Sequence, residues 1–307
     1  VTERTVIGLE PWLPWPLSRW PWWAQPVRAE RLAALRIGVA SVLLVDLLTT
    51  YLPHAGAFFG ADSLGSPEVF PATACDWSLL RGVTDQRVVL TALGVWLVAT
   101  AALLVGLATR VAAVAVWVLS VSFAHINPGI ENAGDEVRGI ILFYLMLCPC
   151  GAVSSFDHRL RQRRGPGPVH VWPWPLHLLL IQMALIYFTS GVHKLFGEQW
   201  RSGESLYFVL SNWTVARWPF ASVALPFALA QLLTWTVLAW ELTFPLLIAF
   251  RWTRMVALGF GVAFHLGIAL FLELGMFTPY MLCLYLPLIH WEGKRKEPAA
   301  QAAGPVC

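Results

Sequence analysis

The sequence predicts an all-α fold: a polytopic integral membrane helical bundle of about eight spans with both termini cytoplasmic. Three observations predict it. Of 307 residues, 57% are of hydrophobic type and only 13% are charged, with a mean hydropathy of +0.62. Soluble domains carry about 25% charge, so an ordinary cytosolic enzyme, a disordered chain and a coiled coil are excluded. Apolar stretches close to the ~20 residues needed to cross a bilayer recur along the chain. Lys and Arg are unevenly shared between alternate connecting segments, as the positive-inside bias requires.

In chain order the expected spans are Leu32–Leu52, Val88–Thr109, Val111–Ile126, Val137–Val153, Leu176–Leu195, Val223–Phe250, Met255–Leu272 and Met276–Trp291. Each is expected to be helical, because backbone groups in hydrocarbon have only each other to bond. The third, fourth and eighth are short. Only Arg110 separates the second from the third, so the pair is either a tight hairpin or one broken helix. With the N-terminus inside, fourteen Lys and Arg fall inside and five outside, which fits an even number of spans. The basic run Arg159 to Arg164 is the strongest anchor.

This divides the chain into a Trp/Pro-rich cytoplasmic or interfacial segment (residues 1–30), a transmembrane domain (31–291) and a polar cytoplasmic tail (292–307). The first segment lacks the apolar core of a signal peptide, and its Trp20, Trp22 and Trp23 suit an interfacial anchor. The expectation is a multi-pass protein of the cell membrane whose first partner is the lipid bilayer. A net charge of +3 gives no argument for nucleic acid. Five Cys are too few for a disulfide scaffold. Cys148-Pro-Cys150 lacks further ligands nearby, so no metal is expected. No P-loop, nucleotide fingerprint or serine nucleophile elbow occurs.

Ionisable residues inside spans are costly and are usually paired or lining a cavity. Arg36 either snorkels to the interface or joins an internal ion pair. Asp46 is ten residues, about 15 Å of helix, beyond it, so each needs another partner. Asp135 and Arg138 are three apart and share a helical face. They form either a helix start with a local ion pair or the polar wall of an outward-facing pocket. Lys194 lies near the outer end of the fifth span. It is either an interfacial snorkeler or, if desolvated and uncharged, a usable base. His265 is mid-span, where a hydrogen-bonded packing role competes with a ligand role. Glu241 must be protonated, paired or hydrated, with His265 and Lys194 as candidate partners. The stretch Glu204–Trp213 reads as re-entrant or interfacial.

Four blocks then make a pattern. The first is Leu35-Arg-Ile-Gly38 followed by Phe58-Phe-Gly-Ala-Asp-Ser-Leu-Gly65. The second is Asn132-Ala-Gly-Asp-Glu-Val-Arg138 with Cys148-Pro149 and Ser154-Ser-Phe-Asp157. The third is Ser190-Gly-Val-His-Lys-Leu195 with Trp200 and Gly203. The fourth is Glu241, Phe264-His265 and Gly275-Met-Phe277. In this order, over about residues 31–290, the chain resembles the horizontally transferred transmembrane (HTTM) domain family, related to the membrane core of the vitamin K-dependent gamma-glutamyl carboxylases. The resemblance implies a reduced lipid quinone, vitamin K or menaquinol, as cofactor. It implies Lys194 as the general base and His193 as a residue that tunes it. A histidine of the carboxylases falls on or near Gly134 here, where Asp135 or Arg138 stands next in line.

The leading expectation is therefore a carboxylase-like membrane enzyme with a lysine base in an outward-facing pocket. Asp135, Arg138, Trp200, Glu241 and His265 would line that pocket, and a secreted peptide or protein would be the substrate. Two other readings stand beside it. One is a non-catalytic membrane protein assisting maturation, export or immunity of a secreted bacterial peptide. The other is a proton-coupled transporter using Asp46, Glu241 and His265, although no inverted repeat is visible.

Overall fold

The computed structural model describes residues 5–7, 26–59, 63, 77–161, 169–218 and 226–288. The Trp20–Trp23 segment, most of the basic run after Arg161 and the C-terminal tail lie outside these residues.

Helix α1 (Glu30–Asp46) buries Leu32, Leu35, Arg36, Val39 and Leu43 along one face. It runs directly into a π-helical turn, Leu47–Tyr51. Residues five apart on an α-helix face about 140° apart. The wider turn, closed by Leu52 N donating to Leu47 O at 2.9 Å, brings Tyr51 round toward the face of Asp46. A short helix, α2 (Ala55–Phe58), follows.

Helix α3 (Gln86–Val105) starts where Asp85 accepts a hydrogen bond from the Arg87 amide. It stops at Gly106, whose φ of 72° is left-handed. No larger residue suits Gly106, because a Cβ there would run into Arg36 and Ser155. Helix α4 (Thr109–Ala124) begins three residues later, so the hairpin alternative holds and Arg110 belongs to the first turn of α4. Helix α5 (Ala133–Leu147) opens with a capping box between Asn132 and Asp135. The short α6 (Phe156–Arg161) precedes α7 (Trp174–Phe196), which starts on prolines as N-termini favour.

Two short helices, α8 (Glu198–Ser202) and α9 (Ser205–Ser211), turn back onto α10 (Phe227–Ala249); α9 falls within the stretch Glu204–Trp213. Helix α11 (Arg251–Phe271) and α12 (Phe277–Cys283) complete the bundle, with a 3₁₀ turn at Leu286–Leu288.

Among the described residues, five helices have the length and apolar composition to cross a membrane: Glu30–Tyr51, Gln86–Val105, Trp174–Phe196, Phe227–Ala249 and Trp252–Phe271. The other three expected spans are shorter. Thr109–Ala124 and Phe277–Leu288 are apolar but brief, and α5 ends at Leu147 in a turn through Cys148-Pro149-Cys150. The helices pack in two groups. One holds α1, α3, α4 and α5; the other holds α7, α10 and α11; α12 touches α1, α5 and α11 and bridges them.

One feature is unexpected for an all-helical chain. Strands β1 (Thr5–Ile7), β2 (Val27–Arg28) and β3 (Val169–Val171) form a small sheet ordered β1-β3-β2, with β1 parallel and β2 antiparallel to β3. Three-residue strands carry too little periodicity to stand out in sequence. The pairing puts the N-terminal strand beside the connection that enters α7, so both lie on one side of the bundle.

Candidate functional site

Lys194 is carried by the last turns of α7. Its Nζ donates to Glu241 Oε1 on α10 and to Ser190 Oγ at 3.0 Å, one turn back on its own helix. Ser190 Oγ in turn donates to the same carboxylate oxygen at 3.4 Å. The amine lies 4.8 Å from the centroid of the Trp200 ring, a cation–π distance. Exposure is uneven: the Lys194 side chain is 21% accessible and the Glu241 side chain 3%. Glu241 Oε2 is buried and has no hydrogen-bond partner among the described residues.

Small residues make this meeting of helices possible. At Gly191 a Cβ would come within 3.1 Å of the Glu241 Cβ and of Leu242, so α7 and α10 touch there almost backbone to backbone. Gly197 ends α7 in extended backbone, and Gly203 takes a φ of 86° between α8 and α9. Those two breaks let α8 present Trp200 to the amine. Arg201 O and Ser202 O then accept hydrogen bonds from Trp235 Nε1 (3.1 Å) and Gln231 Nε2 (2.8 Å) of α10.

The other expected site residues go elsewhere. His193 is exposed, one residue round the helix from Lys194. His265, 1% exposed, bonds Tyr187 Oη through Nε2 at 2.7 Å, and Tyr187 Oη meets Tyr285 Oη at 2.6 Å. Of the two candidate partners for Glu241 it is thus Lys194 that takes the carboxylate, while His265 heads a separate polar chain. His265 Nδ1 is buried without a partner among the described residues.

Asp135 and Arg138 do not line an opening beside Lys194 but sit in a closed cluster. Arg138, fully buried, pairs with Asp135 at 2.5 Å and with Asp46 at 3.4 Å. Its Nε donates to Ser120 Oγ at 2.7 Å, and Nη2 to Tyr51 Oη at 3.3 Å. Tyr51 and Tyr280 donate to Asp135 and Asp46 at 3.1 and 3.2 Å. The rings of Trp96, Tyr51 and Tyr280 lie 5.4 to 5.8 Å from the guanidinium. Asp46 thus finds the partner its position demanded. The local ion pair of Asp135 and Arg138 within α5 holds, and Asp46 of α1, Ser120 of α4 and Tyr280 of α12 join it. Arg36 fits neither expected alternative. It is fully buried and donates to the carbonyls of Leu103 (3.0 Å) and Ser154 (2.5 Å), tying the end of α3 to the loop before α6, and makes no ion pair with a carboxylate among the described residues.

Ser190 stood in the third block without a role of its own, and Tyr187, Tyr285, Tyr51, Tyr280 and Ser120 escaped the sequence reading. The available signal was chemical. A Tyr inside an apolar helix must find a partner for its hydroxyl, and the chain has only six Tyr.

A family model for the HTTM domain matches residues 24–292. The chain belongs to the HTTM domain family. The match covers all the long apolar helices, and this HTTM protein is accordingly a multi-pass membrane protein. No curated protein and no solved structure matches it.

Proposed function

We propose that this HTTM protein is a carboxylase-like membrane enzyme that uses a reduced lipid quinone, with Lys194 as its general base. The observation that carries the reading is the arrangement at one amine. Lys194 Nζ is held by Glu241 and Ser190 on one side, faces the Trp200 ring on another, and keeps partial access from outside the bundle. The residues fit a flat ring bearing hydroxyls: Trp200 offers an aromatic face, Lys194 a nitrogen, and Glu241 Oε2 a buried acceptor with no partner among the described residues.

When bound, a quinol of the vitamin K or menaquinol type would supply a weakly acidic hydroxyl and a pair of reducing electrons, with dissolved dioxygen as the oxidant that takes them. The chain's own part is the proton. With the amine's proton passed to Glu241 Oε1, Nζ has a free lone pair to accept the next proton. Ser190 Oγ, bonded to both, keeps Nζ aligned with the carboxylate. His193, exposed beside the site, is a tuning residue by position, and a secreted peptide or protein is the acceptor substrate in this reading.

The test is quinol oxidation by the full chain in lipid nanodiscs, followed by absorbance, alongside incorporation of labelled CO2 into added acceptor peptide. Lys194→Ala should abolish both. A Lys194→Ala protein that is monodisperse and oxidises quinol at the parent rate overturns the reading.

A further inference from the structure

Helices α7 and α10 enclose a second feature on the Arg254 side of the Lys194–Glu241 pair. It is a cavity of about 680 Å³, lined by Leu180, Ile181, Leu185, Phe188, Pro245 and Ile248, with Ala184 and Ala249 between them and Arg254 at its end. Its lining is apolar apart from Arg254. On α7 the lining runs from Leu180 to Phe188, a rise of about 12 Å of helix.

Arg254 stands in the first turn of α11, where a spanning helix meets the headgroup layer. Its Nε donates to Ile248 O at 2.8 Å, satisfying a carbonyl in the last turn of α10. That bond fixes the plane of the guanidinium and uses only one of its five N–H groups. No hydrogen bond or ion pair to Nη1 or Nη2 occurs among the described residues. The neighbouring Thr253 Oγ1 ties Leu247 O at 2.5 Å, so the corner that carries Arg254 is itself anchored.

We propose that this groove holds one anionic phospholipid, with an acyl chain along the apolar wall and the phosphate on Arg254. The occupant follows from charge and shape. A hydrocarbon chain suits the walls, and a guanidinium fork matches phosphate oxygens in pairs. Basic pockets between helix ends at headgroup depth are where anionic lipid heads are held. The N-terminal end of α11 adds the positive end of a helix dipole. The proposal is independent of the chemistry at Lys194.

The test is native mass spectrometry of the delipidated full chain titrated with dioleoylphosphatidylglycerol, dioleoylphosphatidylcholine or menaquinone. Phosphatidylglycerol should be retained at least fivefold better than phosphatidylcholine. Arg254→Gln should erase that preference and Arg254→Lys should keep part of it. Ala249→Trp, which fills the groove from an exposed position, should remove retention of both phospholipids. Should Arg254→Gln fail to stay monodisperse, Ala249→Trp and the lysine variant decide. Equal retention of the two phospholipids, retention unchanged by Ala249→Trp, or menaquinone outcompeting phosphatidylglycerol each overturns the proposal.

Discussion

Gly191 on α7 lies against Glu241 on α10, so closely that a single added Cβ would stand 3.1 Å from the Glu241 Cβ. The ion pair to Lys194, three residues further along α7, depends on this approach. Gly191→Leu would push the helices apart. Overpacking of a tight contact costs about 1–3 kcal/mol, and the Lys194–Glu241 contact would lengthen with it. The expected outcome is a lowered melting temperature in detergent together with a loss of quinol oxidation. Gly191→Ala meets only the 3.1 Å contacts and should give a smaller drop in both.

The pair itself separates stability from chemistry. Lys194→Met leaves the Glu241 carboxylate buried without its cation, and breaking a buried pair costs about 3–5 kcal/mol. One end of this pair is 21% accessible, so the lower part of that range applies. Replacing both residues, Lys194→Met with Glu241→Leu, removes the stranded charge and should restore most of the thermal stability. Quinol oxidation should stay absent in the double variant. Thermal unfolding and quinol assays on the same preparations check this. A double variant that regained activity along with stability would make the pair structural.

How much of this was legible beforehand differs between fold and site. Spacing and composition revealed the helical bundle because long apolar runs are insensitive to detail. They marked the fourth and eighth spans as short but did not place the helix ends at Leu147 and Cys283, since a turn in an apolar stretch leaves hydropathy unchanged. The Lys194–Glu241 contact was one of two options for Glu241. A contact between helices 47 residues apart in the chain leaves no periodic trace. The Arg138 cluster was half visible: the spacing of Asp135 and Arg138 on one turn announces a pair. Asp46 reaches it only because α1 and α5 pack together, and Tyr51 only because α1 closes with a π turn. Arg36 was misjudged because carbonyls as partners cannot be read from side-chain types.

At the α3–α4 hairpin, Asp157 acts as a remote cap. It accepts from the amides of Ala108 (2.9 Å) and Thr109 (2.8 Å) and from Thr109 Oγ1 (2.7 Å). Burial pushes its carboxyl up, but these hydrogen bonds outweigh that and hold it below its usual value. A carboxyl lowered in the folded state stabilises fully above its unfolded pKa, near 3.8. That stabilisation is lost as pH falls through the lower folded value. Melting temperature should therefore fall below about pH 4. Asp157→Ala should lower stability near neutrality by the worth of a cap, about 1 kcal/mol, and flatten this part of the acid profile. An acid profile identical in the two proteins would remove Asp157 from the account.

Arg138 gives the most severe expectation. It compensates two carboxylates at once, at 2.5 and 3.4 Å, in a cluster closed to solvent. Arg138→Met removes the only cation that contacts Asp46 or Asp135 among the described residues. Two buried acids would then have to take up protons or draw in water, at a cost of about 3–5 kcal/mol or more. That is comparable to the whole net stability of many domains, so loss of a monodisperse peak on size exclusion is expected. Arg138→Lys keeps the charge but not the fork that reaches Ser120, Tyr51 and both carboxylates, and should fold with a reduced melting temperature. Asp46→Asn, which removes the longer of the two ion contacts and retains an oxygen for Tyr280, should be milder still. That order, Met worst and Asn least, separates a buried charge cluster from a packing site. At a packing site the volume-matched Met would be the mildest of the three.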